Sequence, residues 1–213
     1  MRELADDVFV LQGMPGYVVN CYLVGDVLVD AATRLDAPLL LRQLRGRALS
    51  AHALTHAHPD HNGSSAAVCR ARGVPYWVGA DDAAAARDGT IVRTSFPRLP
   101  LGALWDRTLS GPPHPVDREL REGDQVAGFT VLDTPGHTHG HIALWRERDR
   151  VLIAGDILLG FGPRRHVEAS HVDRARNEQS LRRIVELRPE LVCFGHGPPL
   201  RDAAPRLEAL VAG

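Results

Sequence analysis

Thr55-His56-Ala57-His58-Pro59-Asp60-His61 places three imidazoles and a carboxylate within seven residues. Only 11 histidines are spread over the 213 residues, so three in seven is a real concentration. The chemistry such a cradle implies is metal binding. Neutral imidazole and carboxylate are donors for zinc and equally suit iron or manganese, and no cysteine joins them to commit the site to a softer, structural metal. His56 and His58 stand two apart, and Asp60 and His61 are adjacent, so four donors at this spacing cannot all turn onto one ion. Two ions are the natural reading. Further donors recur downstream, at His137, His139 and His141 in Asp133-Thr134-Pro135-Gly136-His137-Thr138-His139-Gly140-His141, at Gly155-Asp156 and at Gly195-His196-Gly197.

Donors so far apart in the chain must be delivered by a scaffold, and the apolar patterning supplies one. His56 to His61, His137, Asp156 and His196 each follow a β-like run, and glycine beside the last three permits tight turns and close backbone approach. Residues 8–11 and 18–24 read as strands, with Gly25-Asp26 as a two-residue hairpin turn into Val27-Leu28-Val29-Asp30. Asp30 ends that strand, where it either braces a ligand imidazole or caps the next loop. Leu35, Leu39, Leu40 and Leu44 recur at a helical period, and 51–54 is a short strand leading into the histidine cluster. Helices are expected over 62–72, 81–87, 178–187 and 203–211, and strands over 75–78, 126–132, 142–145, 151–154 and 191–194. Residues 142–154 read as a hairpin through Arg148-Asp149. The Pro- and Gly-rich stretch 94–117, with Phe96, Leu99, Leu101, Leu104 and Trp105, is either a lid supplying apolar substrate contacts or a segment packed on the core.

The bulk numbers narrow the class. A chain of 213 residues and 23.2 kDa, 44% hydrophobic, fits one soluble domain, 1–213. A formal net charge of -1 and a pI near 6.8 give no long-range pull toward nucleic acid or an anionic membrane, so a nucleic-acid substrate is not favoured. All 25 basic residues are arginine, which removes Schiff-base lysine chemistry. Cys21, Cys69 and Cys193 are odd in number and widely spaced, so buried thiols are expected, not a disulfide framework. With no basic-plus-apolar leader and no run of eighteen apolar residues, a cytoplasmic, non-membrane protein is expected.

Taken together, His56-Ala57-His58-Pro59-Asp60-His61, Pro135-Gly136-His137, Gly155-Asp156 and Gly195-His196 resemble the metallo-β-lactamase superfamily. Its mark is His-x-His-x-Asp-His followed by Pro-Gly-His, Gly-Asp and Gly-His at strand ends. Asn20-Cys21-Tyr22-Leu23 and Leu28-Val29-Asp30 are similar to that family's opening hairpin, so the resemblance covers nearly the whole chain. It implies an α/β fold of the αββα type: two mixed β-sheets face to face, helices outside, and a binuclear site at one edge. Carried over position by position, it puts one divalent ion on His56, His58 and His137 and another on Asp60, His61 and His196, with Asp156 bridging. Two cations about 3.5 to 4 Å apart lower the pKa of a shared water from about 16 toward 7 and clamp an oxyanion. The implied reaction is attack of a metal-bound hydroxide on an acyl or phosphoryl centre. Asp60 and Asp156 are the implied catalytic carboxylates, Asp60 orienting the hydroxide or passing a proton to the leaving group. Zinc is the first expectation, and iron or manganese fit the same donors.

Details of the motif select among activities. Asp156 as a bridging carboxylate, with His61 in place of a cysteine ligand, is similar to the thioesterase and lactonase members and disfavours antibiotic hydrolysis. His58 stands where flavodiiron-type relatives carry a glutamate. Only residues 197–213 follow His196, so the C-terminal helical domain by which glyoxalase II relatives hold glutathione is not expected, and a glutathione thioester is disfavoured. A metal-dependent hydrolase of a small thioester or lactone is therefore expected. The alternatives are a small phosphodiesterase on the same ions, or a mononuclear iron dioxygenase or non-hydrolytic metal-binding protein, against which the complete second donor set argues. His139 reads as an exposed ring in preference to an extra acid or base, and His141 as a brace. His52, His114, His166 and His171 read as ordinary polar residues. Arg164, Arg165 and His166 either meet a substrate anion or form a solvated charge run.

Overall fold

The computed structural model describes residues 1–12, 17–89, 108–160 and 172–212. Along the early strands, aliphatic side chains alternate between two apolar environments, because successive residues of a strand point to opposite faces. Val8, Val10, Tyr22 and Val24 face one cluster, and Leu11, Cys21, Leu23 and Leu28 face another. A strand apolar on both faces needs cover on both, and the fold provides it.

The first sheet runs in chain order: β1 (Arg2–Ala5), β2 (Val8–Gln12), β3 (Asn20–Val24), β4 (Val27–Val29), β5 (Ala51–Leu54), β6 (Tyr76–Gly79) and β7 (Arg118–Leu120). Neighbours are antiparallel from β1 to β4 and parallel from β4 to β7. In the second sheet β8 (Gln125–Val126), β9 (Phe129–Asp133), β10 (Ile142–Arg146) and β11 (Val151–Gly155) are antiparallel neighbours. Beyond them β12 (Leu191–Phe194) lies parallel to β11, and β13 (Leu200–Arg201) closes the edge. The helices are α1 (Ala37–Gln43), α2 (Pro59–Asn62), α3 (Ser65–Arg72), α4 (Ala83–Asp88), α5 (Arg174–Glu186) and α6 (Ala203–Ala212).

Between the sheets, Val8, Val10, Tyr22 and Val29 meet Phe129, Val131, Ile142 and Ile153. Leu40, Leu44 and Val68 cover the outer face of the first sheet, and Leu181, Ile184 and Leu207 cover the second. Each such buried side chain contributes about 1.5–3 kcal/mol, enough together to hold the strand ends rigidly. The expected two mixed sheets flanked by helices are therefore observed.

Several boundaries differ from the sequence expectation. Val18 and Val19 bend before β3, and Val18 is exposed. The helix expected from Asn62 is two: α2 starts at Pro59, whose missing N–H is harmless at a first helical position, and α3 follows after Ser64. The helix expected from Glu178 begins at Arg174, because the Asp173 side chain accepts from the Arg176 N–H at 3.0 Å and caps it there. The hairpin through Arg148-Asp149 turns on a 3-10 segment, Glu147–Asp149. Cys21, Cys69 and Cys193 are free and buried. Among the described residues no helix is long and apolar enough to cross a membrane. Most of the proposed lid, with Phe96, Leu99, Leu101, Leu104 and Trp105, lies outside the described residues, as do Arg164, Arg165, His166 and His171.

Candidate metal centre

Four strand ends deliver the seven candidate donors to one place. After β5 the chain stays non-helical to His58, at φ -90° and ψ 152°, and then turns into α2, which carries Asp60 and His61. The turn after β9 brings His137, the end of β11 brings Asp156, and the end of β12 brings His196. His56, His58 and His137 offer donor atoms that all lie within 4.8 Å of one another, and so do Asp60, His61 and His196. His56, His61 and Asp156 form a third such group, which joins the other two.

One oxygen, Oδ2 of Asp156, is the common point. It lies 3.1 Å from Nε2 of His196, 3.5 Å from that of His61, 3.6 Å from that of His137 and 4.0 Å from that of His56. His58 Nδ1 stands 2.9 Å from His137 Nε2, and the Nε2 atoms of His61 and His196 are 3.2 Å apart. His56, His61 and Asp156 are buried, whereas the Asp60 side chain keeps 34% of its exposure, so the site opens on the Asp60 side.

The hydrogen bonds behind these rings fix which nitrogen faces inward. Asp30 Oδ2 accepts from His61 Nδ1 at 2.9 Å, leaving Nε2 for the centre. The same carboxylate accepts from the Thr55 N–H and hydroxyl, so Thr55 Oγ1 is free to accept from His56 Nδ1 at 3.0 Å. His196 Nδ1 donates to the Val18 carbonyl. Asp30 thus braces two imidazoles at once, the role sequence left level with loop capping. His141 Nε2 accepts from the Asp156 N–H at 3.0 Å, and its Nδ1 lies 2.8 Å from Thr134 Oγ1, so it holds Asp156 in place as a brace should. The His139 side chain is exposed.

The electrostatics differ across the site. Burial holds His56, His58 and His137 below the ordinary imidazole range, with neighbouring histidines adding to the effect at His56 and His137, so these rings are neutral donors. Burial likewise brings His141 to about 4. For His61 and His196 burial again pulls downward, but Asp156 and Asp60 outweigh it, raising His61 well above its usual value and His196 to about 10. Burial pushes the Asp156 carboxyl upward, yet His196 and His61 carry it well below the carboxylate range. This half of the site therefore calls for positive charge.

Divalent cations fit these residues. His56 Nε2 and Asp156 Oδ1 are buried without a hydrogen-bond partner, which polar atoms in a folded interior rarely tolerate. All seven donors are imidazole or carboxylate, the set that zinc, iron and manganese accept. Sequence reasoning missed one buried carboxylate beside the centre, Asp82. Its Asp-Asp-Ala context reads as an ordinary helix start and carries no sign of its partners.

Comparison with known proteins agrees with this geometry. The family model described as the metallo-beta-lactamase superfamily matches residues 14–196. A hydroxyacylglutathione hydrolase from Bdellovibrio bacteriovorus is 29% identical over 181 residues, covering 79% of this chain and 60% of that protein. The chain thus spans about three fifths of that relative's length. Among solved structures, the TTHA1623 protein in a di-iron-bound form superposes with a TM-score of 0.73 at 31% identity, covering 92% of this chain and 96% of the other. The BLEG-1 B3 metallo-beta-lactamase superposes with a TM-score of 0.74 at 25% identity, covering 92% and 95%.

Proposed function

The chain belongs to the metallo-β-lactamase superfamily, and from that premise we infer that it is a metallo-hydrolase using two divalent ions against a small acyl compound, a thioester or a lactone. The observation that carries this is the convergence of two three-donor groups on one buried carboxylate oxygen, Asp156 Oδ2. In this reading His56, His58 and His137 hold one ion, Asp60, His61 and His196 hold the other, and Asp156 lies between them. Held by these residues, two such cations would supply Lewis acidity, lowering the pKa of a water from about 16 toward 7 and polarising the oxygen of the bond under attack.

The side chains do the rest. Asp30 and Thr55 keep Nε2 of His56 and His61 turned inward, and His141 holds Asp156 against drift. Asp60, on the open side and 3.2 Å from His196 Nε2, is placed to orient the attacking water and to carry its proton to the departing thiolate or alkoxide. Hydroxyacylglutathione hydrolase, the name of one relative, supports an acyl substrate, and the di-iron-bound neighbour supports iron beside zinc as an occupant.

The test is a hydrolysis panel of thioesters, lactones, phosphodiesters and β-lactams, run on protein reconstituted with zinc, iron or manganese, beside His58→Ala. Turnover of a thioester or lactone that is abolished in the folded variant is the expected result. Preferential phosphodiester cleavage would move the substrate class, and one iron per chain with oxygen consumption would overturn the hydrolase reading.

A further inference from the structure

Outside the seven donors, the buried side chain of Asp82 hydrogen-bonds to both histidine-bearing loops. Asp82 is 2% exposed and sits in the 3-10 turn Ala80–Asp82 that follows β6. Its Oδ2 accepts from the N–H of Ala57 at 2.8 Å and from the Thr138 hydroxyl at 2.7 Å, and its Oδ1 accepts from the N–H of Gly140 at 2.8 Å. Ala57 lies between His56 and His58 on the loop leaving the first sheet. Thr138 and Gly140 flank the turn after His137, which hangs from the second sheet.

An aspartate at the start of a helix would ordinarily cap it, but Asp82, in the cap position of α4, makes no such bond with its side chain. All three bonds go to the loops. Backbone approach at the same point is close enough to require glycine: a Cβ on Gly140 would lie 2.2 Å from the Asp82 nitrogen. Among the described residues no arginine pairs with Asp82.

We propose that Asp82 is a positioning residue that sets the spacing between the His56–His58 loop and the His137 loop, and so tunes one ion of the pair. The inference rests on the two-ion reading above. Asparagine cannot replace the carboxylate, because its amide group would point an N–H at either the Gly140 N–H or the Ala57 N–H, which can only donate. Asp30 braces His56 and His61 and thereby touches both donor groups, whereas Asp82 touches the loops of the three-histidine group alone.

The experiment is titration of the metal-free full chain with Zn²⁺ against a competing chelator, for wild type, Asp82→Asn, Thr138→Val and Thr138→Ser, with the melting temperature of each metal-free form recorded. Wild type is expected to bind two ions. Asp82→Asn should weaken one of them about 10- to 100-fold and leave the other unchanged. Thr138→Val should weaken the same ion by less, and Thr138→Ser, which keeps the hydroxyl, should restore it. The threonine pair decides the matter should Asp82→Asn fail to fold. Wild-type affinities at both sites in Asp82→Asn and Thr138→Val would overturn the inference and leave the two-ion reading standing. Equal weakening of both ions in step with a lowered melting temperature would also overturn it, as a purely structural effect. Fewer than two ions on wild type would instead overturn the two-ion reading and this inference with it.

Discussion

Replacing Gly195 with alanine adds one methyl group and removes no donor, yet it should disable the centre. A Cβ built at that position lies 2.0 Å from Asp156 Oδ1 and 2.7 Å from His61 Cε1, where real Cβ contacts essentially never fall under 3.0 Å. The carboxylate must therefore retreat by about 1 Å, or the backbone must move. The backbone is tied on both sides: Gly195 N donates to the Gly155 carbonyl and its own carbonyl accepts from Asn20 N, each at 2.8 Å. Overpacking of this kind costs about 1–3 kcal/mol of stability. A displacement of about 1 Å in reacting groups costs about 100-fold in rate, or about 2.7 kcal/mol of barrier. Gly195→Ala should accordingly fold with a modestly lowered melting temperature, lose kcat by about 100-fold on the best substrate of the hydrolysis panel, and bind at least one ion more weakly. Steady-state kinetics beside metal analysis would check this. A variant with two tightly held ions and a kcat within about threefold of wild type would refute the claim that Asp156 and His61 are fixed parts of the centre.

Other perturbations separate its parts. Asp30→Asn should weaken both ions by about 10- to 100-fold in a Zn²⁺ titration, because one carboxylate orients His61 directly and His56 through Thr55. The buried His52 is lowered to about 4 by desolvation, so the folded metal-free protein keeps it neutral where the unfolded chain takes up a proton below pH 6.5. Its contribution to stability is whole above that pH and lost as pH falls toward 4, by about 2 kcal/mol at pH 5. Urea unfolding at pH 7 and pH 5 should show a smaller loss for His52→Gln than for wild type. His139→Ala, a change at an exposed ring, should leave kcat and metal content within about twofold of wild type in the same assays.

The candidate donors were readable in the sequence because ligand-type side chains stand at or just beyond strand ends. Apolar runs before His56, His137, Asp156 and His196 announce where the chain stops being core and starts being edge. Asp30 was half readable: its place at the end of β4 was plain, but whether it faced an imidazole depends on packing against residues 25 and 31 positions away. Asp82 was not readable at all, since its partners lie 25, 56 and 58 positions away and its own neighbours mimic a helix cap. The strand expected over 126–132 is two, β8 and β9, because the chain turns back at Ala127 and Gly128, both at positive φ. The short strands β7 and β13 escaped for another reason. Two or three residues with charged or polar members carry no period, and they pair only because a neighbouring strand already presents its edge.

Anomalous diffraction from crystals of the metal-loaded protein, collected at the absorption edge of the metal supplied, tests the central claim most directly. Two peaks are predicted, one within about 2.0–2.2 Å of nitrogens of His56, His58 and His137 and one within the same reach of Asp60, His61 and His196, with Asp156 contacting both. A single peak, or peaks away from these seven side chains in protein that still hydrolyses its substrate, would contradict it.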